Sequence, residues 1–103
     1  MPSIIYAKLN AALSALDEAK AARKLNARLS AYQNARDSVQ AALTELPSAY
    51  IQPGSRSLEE AINNIDRAMG MRWYELERRN NRAAYMNIDN AMRVMEQAKR
   101  WYK

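Results

Sequence analysis

Residues 47–57 read Pro-Ser-Ala-Tyr-Ile-Gln-Pro-Gly-Ser-Arg-Ser. This stretch holds two of the chain's three prolines and one of its two glycines. On either side lie long segments with no proline, and the only other glycine is Gly70. Pro47 must stop a helix, because the residue before a proline is pushed out of the α region. Beyond the turn, Ser57-Leu58-Glu59-Glu60 has the form of a capping box, with the Ser57 hydroxyl and the Glu60 carboxylate reaching across the first helical turn. Glu59 and Glu60 also sit where the helix dipole favours negative charge.

Working outward, Ser3 is placed to cap a helix starting near Ile4, and nothing breaks that helix before Leu46. A second helix runs from Leu58 to about Tyr102, with Lys99, Arg100 and Lys103 suiting its C-terminal dipole. The expectation is all-α: one helical domain over 1–103, with a helix over 4–46, a turn over 47–57 and a helix over 58–102. Ala, Leu, Arg, Met, Glu and Gln are good helix formers. Phe is absent and Val scarce, which argues against sheet.

At 1.5 Å per residue each helix would be about 65 Å long. An isolated hairpin of that length would leave most of each helix exposed. The apolar pattern carries the same message. In the first helix Ile5, Leu9, Leu13 and Leu16 form one stripe, and Leu25, Leu29, Tyr32, Val39, Leu43 and Leu46 another. At about 100° per residue the two point to nearly opposite faces. In the second helix Leu58, Ile62, Ile65, Met69, Trp73 and Leu76 form one stripe. Ile88, Met92, Met95 and Tyr102 form the next, rotated by about a quarter turn. Charged or polar interruptions over 17–24 and 77–82 separate the stripes, and folding the chain at the turn brings them level. Either the helices break there to give four, or they continue and bury their halves against other chains. Residues 17–24 hold no Gly or Pro, so the expectation is largely continuous helices in an antiparallel, coiled-coil-like hairpin. Any kink would fall near 17–25 and 77–82, and the core would be completed by a second copy or a larger assembly.

The composition excludes much chemistry. Without Cys or His there is no disulfide framework, no thiolate or imidazole metal site and no histidine general base. The carboxylates give no acid–base pair at a fixed spacing, and no Gly-rich phosphate loop or nucleophile elbow occurs. No catalytic, cofactor-binding or metal residues are therefore expected. No apolar run is long enough to span a membrane, and the first residues lack the form of a secretory signal. The expected setting is cytoplasmic or within a macromolecular assembly.

The charge is +5, which permits an anionic partner. Arg78-Arg79-Asn80-Asn81-Arg82, flanked by Trp73, Tyr74 and Tyr85, is the sharpest local signal. Arginine forks suit phosphate, and aromatic rings can stack on bases. The competing view is a solvated face in which Glu75 pairs with Arg78 and Arg79 along the helix. Arg23 and Lys24, with Lys20 and Arg28, would lie opposite, either extending a basic belt or pairing with Asp17 and Glu18. The sequence thus points to a non-enzymatic interaction or assembly protein, with a basic nucleic-acid binder as the alternative. Tyr32, Trp73, Leu76, Ile88 and Met92 are the expected packing residues, joined by Tyr50 and Ile51 at the turn. Met71 and Met86 fall off the stripes and suit partner contacts, whereas Met69, Met92 and Met95 suit a core.

Overall fold

A computed structural model describes the backbone of residues 3–46 and 54–101 and the side chains of 4–46 and 54–97. Tyr50, Ile51, Tyr102 and the side chain of Trp101 lie outside the described residues. The chain is all-helical there, but it forms four helices: α1 (Ser3–Ala21), α2 (Leu25–Thr44), α3 (Arg56–Gly70) and α4 (Tyr74–Trp101). The expected pair of long helices is corrected at two points, 22–24 and 71–73. The molecule measures 46 × 20 × 18 Å, too short for a straight helix of about 65 Å.

Neighbours in the bundle are α1 with α2, α2 with α3, α3 with α4, and α4 with α1. They run antiparallel. Tyr6 meets Glu96 and Leu16 meets Asn81 across α1 and α4. Ser57 meets Asn90, and Asn64 meets Asn87, across α3 and α4. Both short connections therefore lie at one end of the bundle. Arg28 at that end reaches the Arg23 carbonyl at 3.0 Å and lies 5.9 Å from the Tyr74 ring centre.

The second break has a local cause. Gly70 is the last residue of α3, and Met71 is already extended at φ −80°, ψ 135°. Glycine costs a helix about 1 kcal/mol relative to alanine. No side chain lies within 4 Å of where a Gly70 Cβ would stand, so packing does not demand the glycine. The first break, over Ala22-Arg23-Lys24, has no such residue. Its cause is tertiary. A continuous helix would aim the α1 and α2 stripes at opposite faces, whereas turning back at Lys24 (φ −84°, ψ 137°) aims both at one core. Ile5, Leu9, Leu16, Tyr32 and Val39 are then all buried. Each large side chain contributes about 1.5–3 kcal/mol on burial. Each backbone hydrogen bond left unmade at the break costs about 0.5–1.5 kcal/mol, so burial wins.

The core pattern is a seven-residue repeat in which alanine takes alternate places. Leu9, Ala12, Leu16 and Ala19 follow it in α1, and Tyr32, Ala35, Val39 and Ala42 in α2. Leu58, Ala61, Ile65 and Ala68 follow it in α3, and Ala84, Ile88, Ala91 and Met95 in α4. Half of the buried apolar residues among those described are alanine. The core thus alternates large side chains with alanines, so that facing layers can interdigitate.

The capping box is also corrected. Ser57 lies inside α3, buried, where its Oγ accepts a hydrogen bond from Asn90 Nδ2 at 3.0 Å. Glu60 points outward, 3.9 Å from Arg56 and 3.5 Å from the Asn87 amide. Gly54 is buried against Met95, whose Cε lies 3.1 Å from where a Cβ would stand. The described part of the turn thus closes the far end of the core.

Candidate interaction surface at the basic end of the bundle

The end bearing both connections is organised by Glu77, which is 4% exposed. Its carboxylate accepts from Arg28 Nε, at 3.1 Å to Oε2, and from the Tyr32 hydroxyl at 3.3 Å. Asn81, one turn along α4, donates from Nδ2 to the Leu16 carbonyl at 3.0 Å and to the Tyr32 hydroxyl at 3.1 Å. The network ties α1, α2 and α4 together. No buried side-chain nitrogen or oxygen among the described residues is left without a partner, which is what a buried charge needs to be tolerated. Burial pushes the Tyr32 phenol from 10.0 up to about 12. The Asn81 hydrogen bond opposes that rise, and the Glu77 carboxylate adds to it.

The segment 77–82 reads as a charged or polar interruption between stripes, yet Glu77 and Asn81 within it are buried. The available signal was that Glu77 and Asn81 continue the seven-residue row of Ala84, Ile88, Ala91 and Met95 toward the N-terminus. The alanines hid it, because a stripe drawn through large residues alone stops at Ile88.

Outside the network lies an open groove between α1 and α4, with a volume of about 610 Å³. Lys20, Arg78, Arg79 and Arg82 line it, with Asp17, Glu75, Asn81, Tyr85 and Met86. Among the described residues the expected pairs of Glu75 with Arg78 and Arg79 do not form, nor do pairs of Asp17 or Glu18 with Lys20, Arg23, Lys24 or Arg28. The ion pairs among the described residues join Arg28 to Glu77, Arg36 to Asp66, Arg56 to Glu60 and Arg93 to Asp89. All four groove cations thus lack an acidic partner there. Arg78 instead lies 5.7 Å from the Tyr74 ring centre, so Tyr74 is flanked by Arg78 and Arg28, each contact being worth about 0.5–1 kcal/mol.

Segments 17–28 and 71–82 together hold eight of the sixteen Lys and Arg residues against four carboxylates. The same end also shows apolar surface. Trp73 is 73% exposed, Leu25 56% and Tyr74 50%, with Leu76 exposed beside them. Of the expected packing residues, the bundle itself buries Tyr32 and Ile88 and half-covers Met92, while Trp73 and Leu76 face outward. Met95 is core, Met69 packs against it, and Met86 is exposed at the groove. Arg23 and Lys24 are exposed on the first connection, and Arg78, Arg79 and Arg82 on α4. Among the described residues, no group of acidic side chains could hold a metal ion, and no helix is long and apolar enough to cross a membrane.

Taken together, fold and surface define a small alanine-packed four-helix bundle with one basic, aromatic-bearing end. No family model, curated protein or solved structure matches the chain.

Proposed function

We propose that this protein is a non-enzymatic interaction module that docks a protein partner on the end of the bundle carrying the two short connections. One observation carries the reading: Trp73, Tyr74, Leu25 and Leu76 are exposed at the same end as a set of arginines without acidic partners. Exposed aromatic and aliphatic side chains rimmed by charge form the anatomy of a protein interface. Tryptophan and arginine are its commonest energetic anchors. The partner segment would carry apolar side chains for Trp73 and Leu76, and carboxylates for Arg78, Arg79 and Arg82.

Single-stranded nucleic acid is the second reading. It is favoured by Tyr74 between two guanidinium groups beside the arginine-lined groove, an arrangement suited to base stacking with phosphate contacts. Asp17 and Glu75 in that groove weigh against it, since they repel a phosphate chain.

A photo-crosslinking amino acid at position 73, with position 40 at the opposite end as control, tests both readings in cells that make the protein. A protein adduct specific to position 73, and at least about tenfold weaker with Arg78→Ala and Arg82→Ala together, supports the first. A nucleic-acid adduct, with binding that falls steeply with salt, supports the second. Equal adducts at positions 40 and 73 would remove the basic end from consideration.

A further inference from the structure

We propose that the connection between α1 and α2 is a hinge through which two copies of this chain exchange α1, forming a dimer in which 3–44 is one continuous helix. This goes beyond the docking surface and does not depend on it.

Residues 22–24 stand in conflict with their own helical preference. Ala, Arg and Lys are among the best helix formers, yet these three residues are where the helix stops. The helical ladder is intact on both sides: the Ala22 N–H bonds to the Glu18 carbonyl at 2.9 Å and the Arg28 N–H to the Lys24 carbonyl at 3.0 Å. The break costs the i to i+4 bonds of the N–H groups at 23–27, and a side chain patches one lost acceptor, Arg28 Nη1 donating to the Arg23 carbonyl. In one chain, this loss is the condition for aiming both stripes at one core. In two chains it is not. If each copy straightens at 22–24 and lays its α1 against α2 and α4 of the other, Ile5, Leu9 and Leu16 regain their surroundings and the missing backbone bonds form as well. Exchange of an identical element re-uses contacts that already exist, which makes it a low-cost route to a dimer, and short hinges invite it. The connection at 71–73 lacks this conflict, because Gly70 and the extended Met71 already favour a stop. The exchange is therefore assigned to the first connection alone. Arg23 and Lys24 of the two copies meet at the crossing, and their repulsion holds exchange back until salt screens it.

Leu25→Pro separates the two states. Position 25 is the first residue of α2, Leu25 is exposed, and Lys24 already has the extended backbone that a following proline requires. Proline there suits the bundle and breaks a straight helix. The chain has no cysteine, so spin labels can be placed at the exposed positions of Asn10→Cys and Asn34→Cys. Within one chain they would stand roughly 36 Å apart on a straight helix at 1.5 Å per residue, and under about 20 Å on neighbouring helices at 8–10 Å between axes. The protein is refolded from denaturant at high concentration in about 0.5 M salt, with labelled chains diluted into unlabelled ones. The expected result is a dimer fraction carrying the long distance, a monomer carrying the short one, and a Leu25→Pro variant that is monomeric with an undiminished Tm. Inserting Gly-Ser-Gly after Arg23, which removes the helical preference, should give the same monomer. A wild type that stays wholly monomeric, a dimer whose intrachain distance remains short, or variants that dimerise like wild type would overturn the proposal.

Discussion

At the scale of single residues, Glu77 shows how a charge can belong to a core. Removing it as Glu77→Ala leaves the Arg28 guanidinium half-buried and the Tyr32 hydroxyl without its acceptor. A loss of about 3 kcal/mol in urea unfolding is expected, against less than about 0.5 kcal/mol for Glu75→Ala, which makes no ion pair. Tyr32 adds a pH dependence. Its phenol sits at about 12 in the folded chain and at 10.0 when unfolded. Between those values the unfolded chain has released the proton and the folded chain keeps it, so the folded state binds more protons and stability falls as pH rises. The contribution is complete below pH 10 and lost by the time pH passes about 12. At about 1.4 kcal/mol per unit, it amounts to about 3 kcal/mol. Stability measured from pH 9 to 12 should therefore fall less steeply in Tyr32→Phe than in wild type. An identical slope would show that Tyr32 takes no part in the alkaline loss.

At the scale of the element, alanine decides how the helices meet. Ala61 and Ala84 are fully buried in the seven-residue rows of α3 and α4. Enlarging either to leucine should cost about 1–3 kcal/mol by overpacking. Ala11→Leu, on the exposed face of α1, should change stability by less than about 0.5 kcal/mol. Thermal unfolding of the three variants compares them directly, and a tolerant Ala61 or Ala84 would mean that the helix spacing is looser than the burial shows. The helices themselves were legible from composition and from the stop at Pro47. The start of α3 was misread because Ser57 and Glu60 fit a capping box, while the tertiary partner Asn90 claims the Ser57 hydroxyl.

At the scale of the whole molecule, the separation of the two stripes in the first expected long helix is what divides 3–44 into α1 and α2, whereas the second division, at 71–73, cuts through the expected Leu58–Leu76 stripe and leaves the expected kink zone 77–82 inside α4. The expectation of largely continuous helices is corrected by the breaks at 22–24 and 71–73; local pattern does not make this choice, because both arrangements bury the same side chains. The basic end was legible in part. Arg78, Arg79 and Arg82 beside Trp73 and Tyr74 stand out in the sequence. Which of the nearby acids pair with them does not, since that depends on helix rotation. Glu77 turns inward to Arg28, and Glu75 stays outward without a pair.

By itself, the sequence determined the helical class, the end of α2 ahead of Pro47, the lack of histidine and cysteine, and the clustering of arginine near 78–82. These follow from local propensity and residue type, which act within a few positions. Only the tertiary structure decided the break at 22–24, the burial of Glu77 and Asn81, and the exposure of Trp73. Each depends on how two stripes far apart along the chain share one core, and that burial outweighs the preference of Ala22, Arg23 and Lys24 to remain helical.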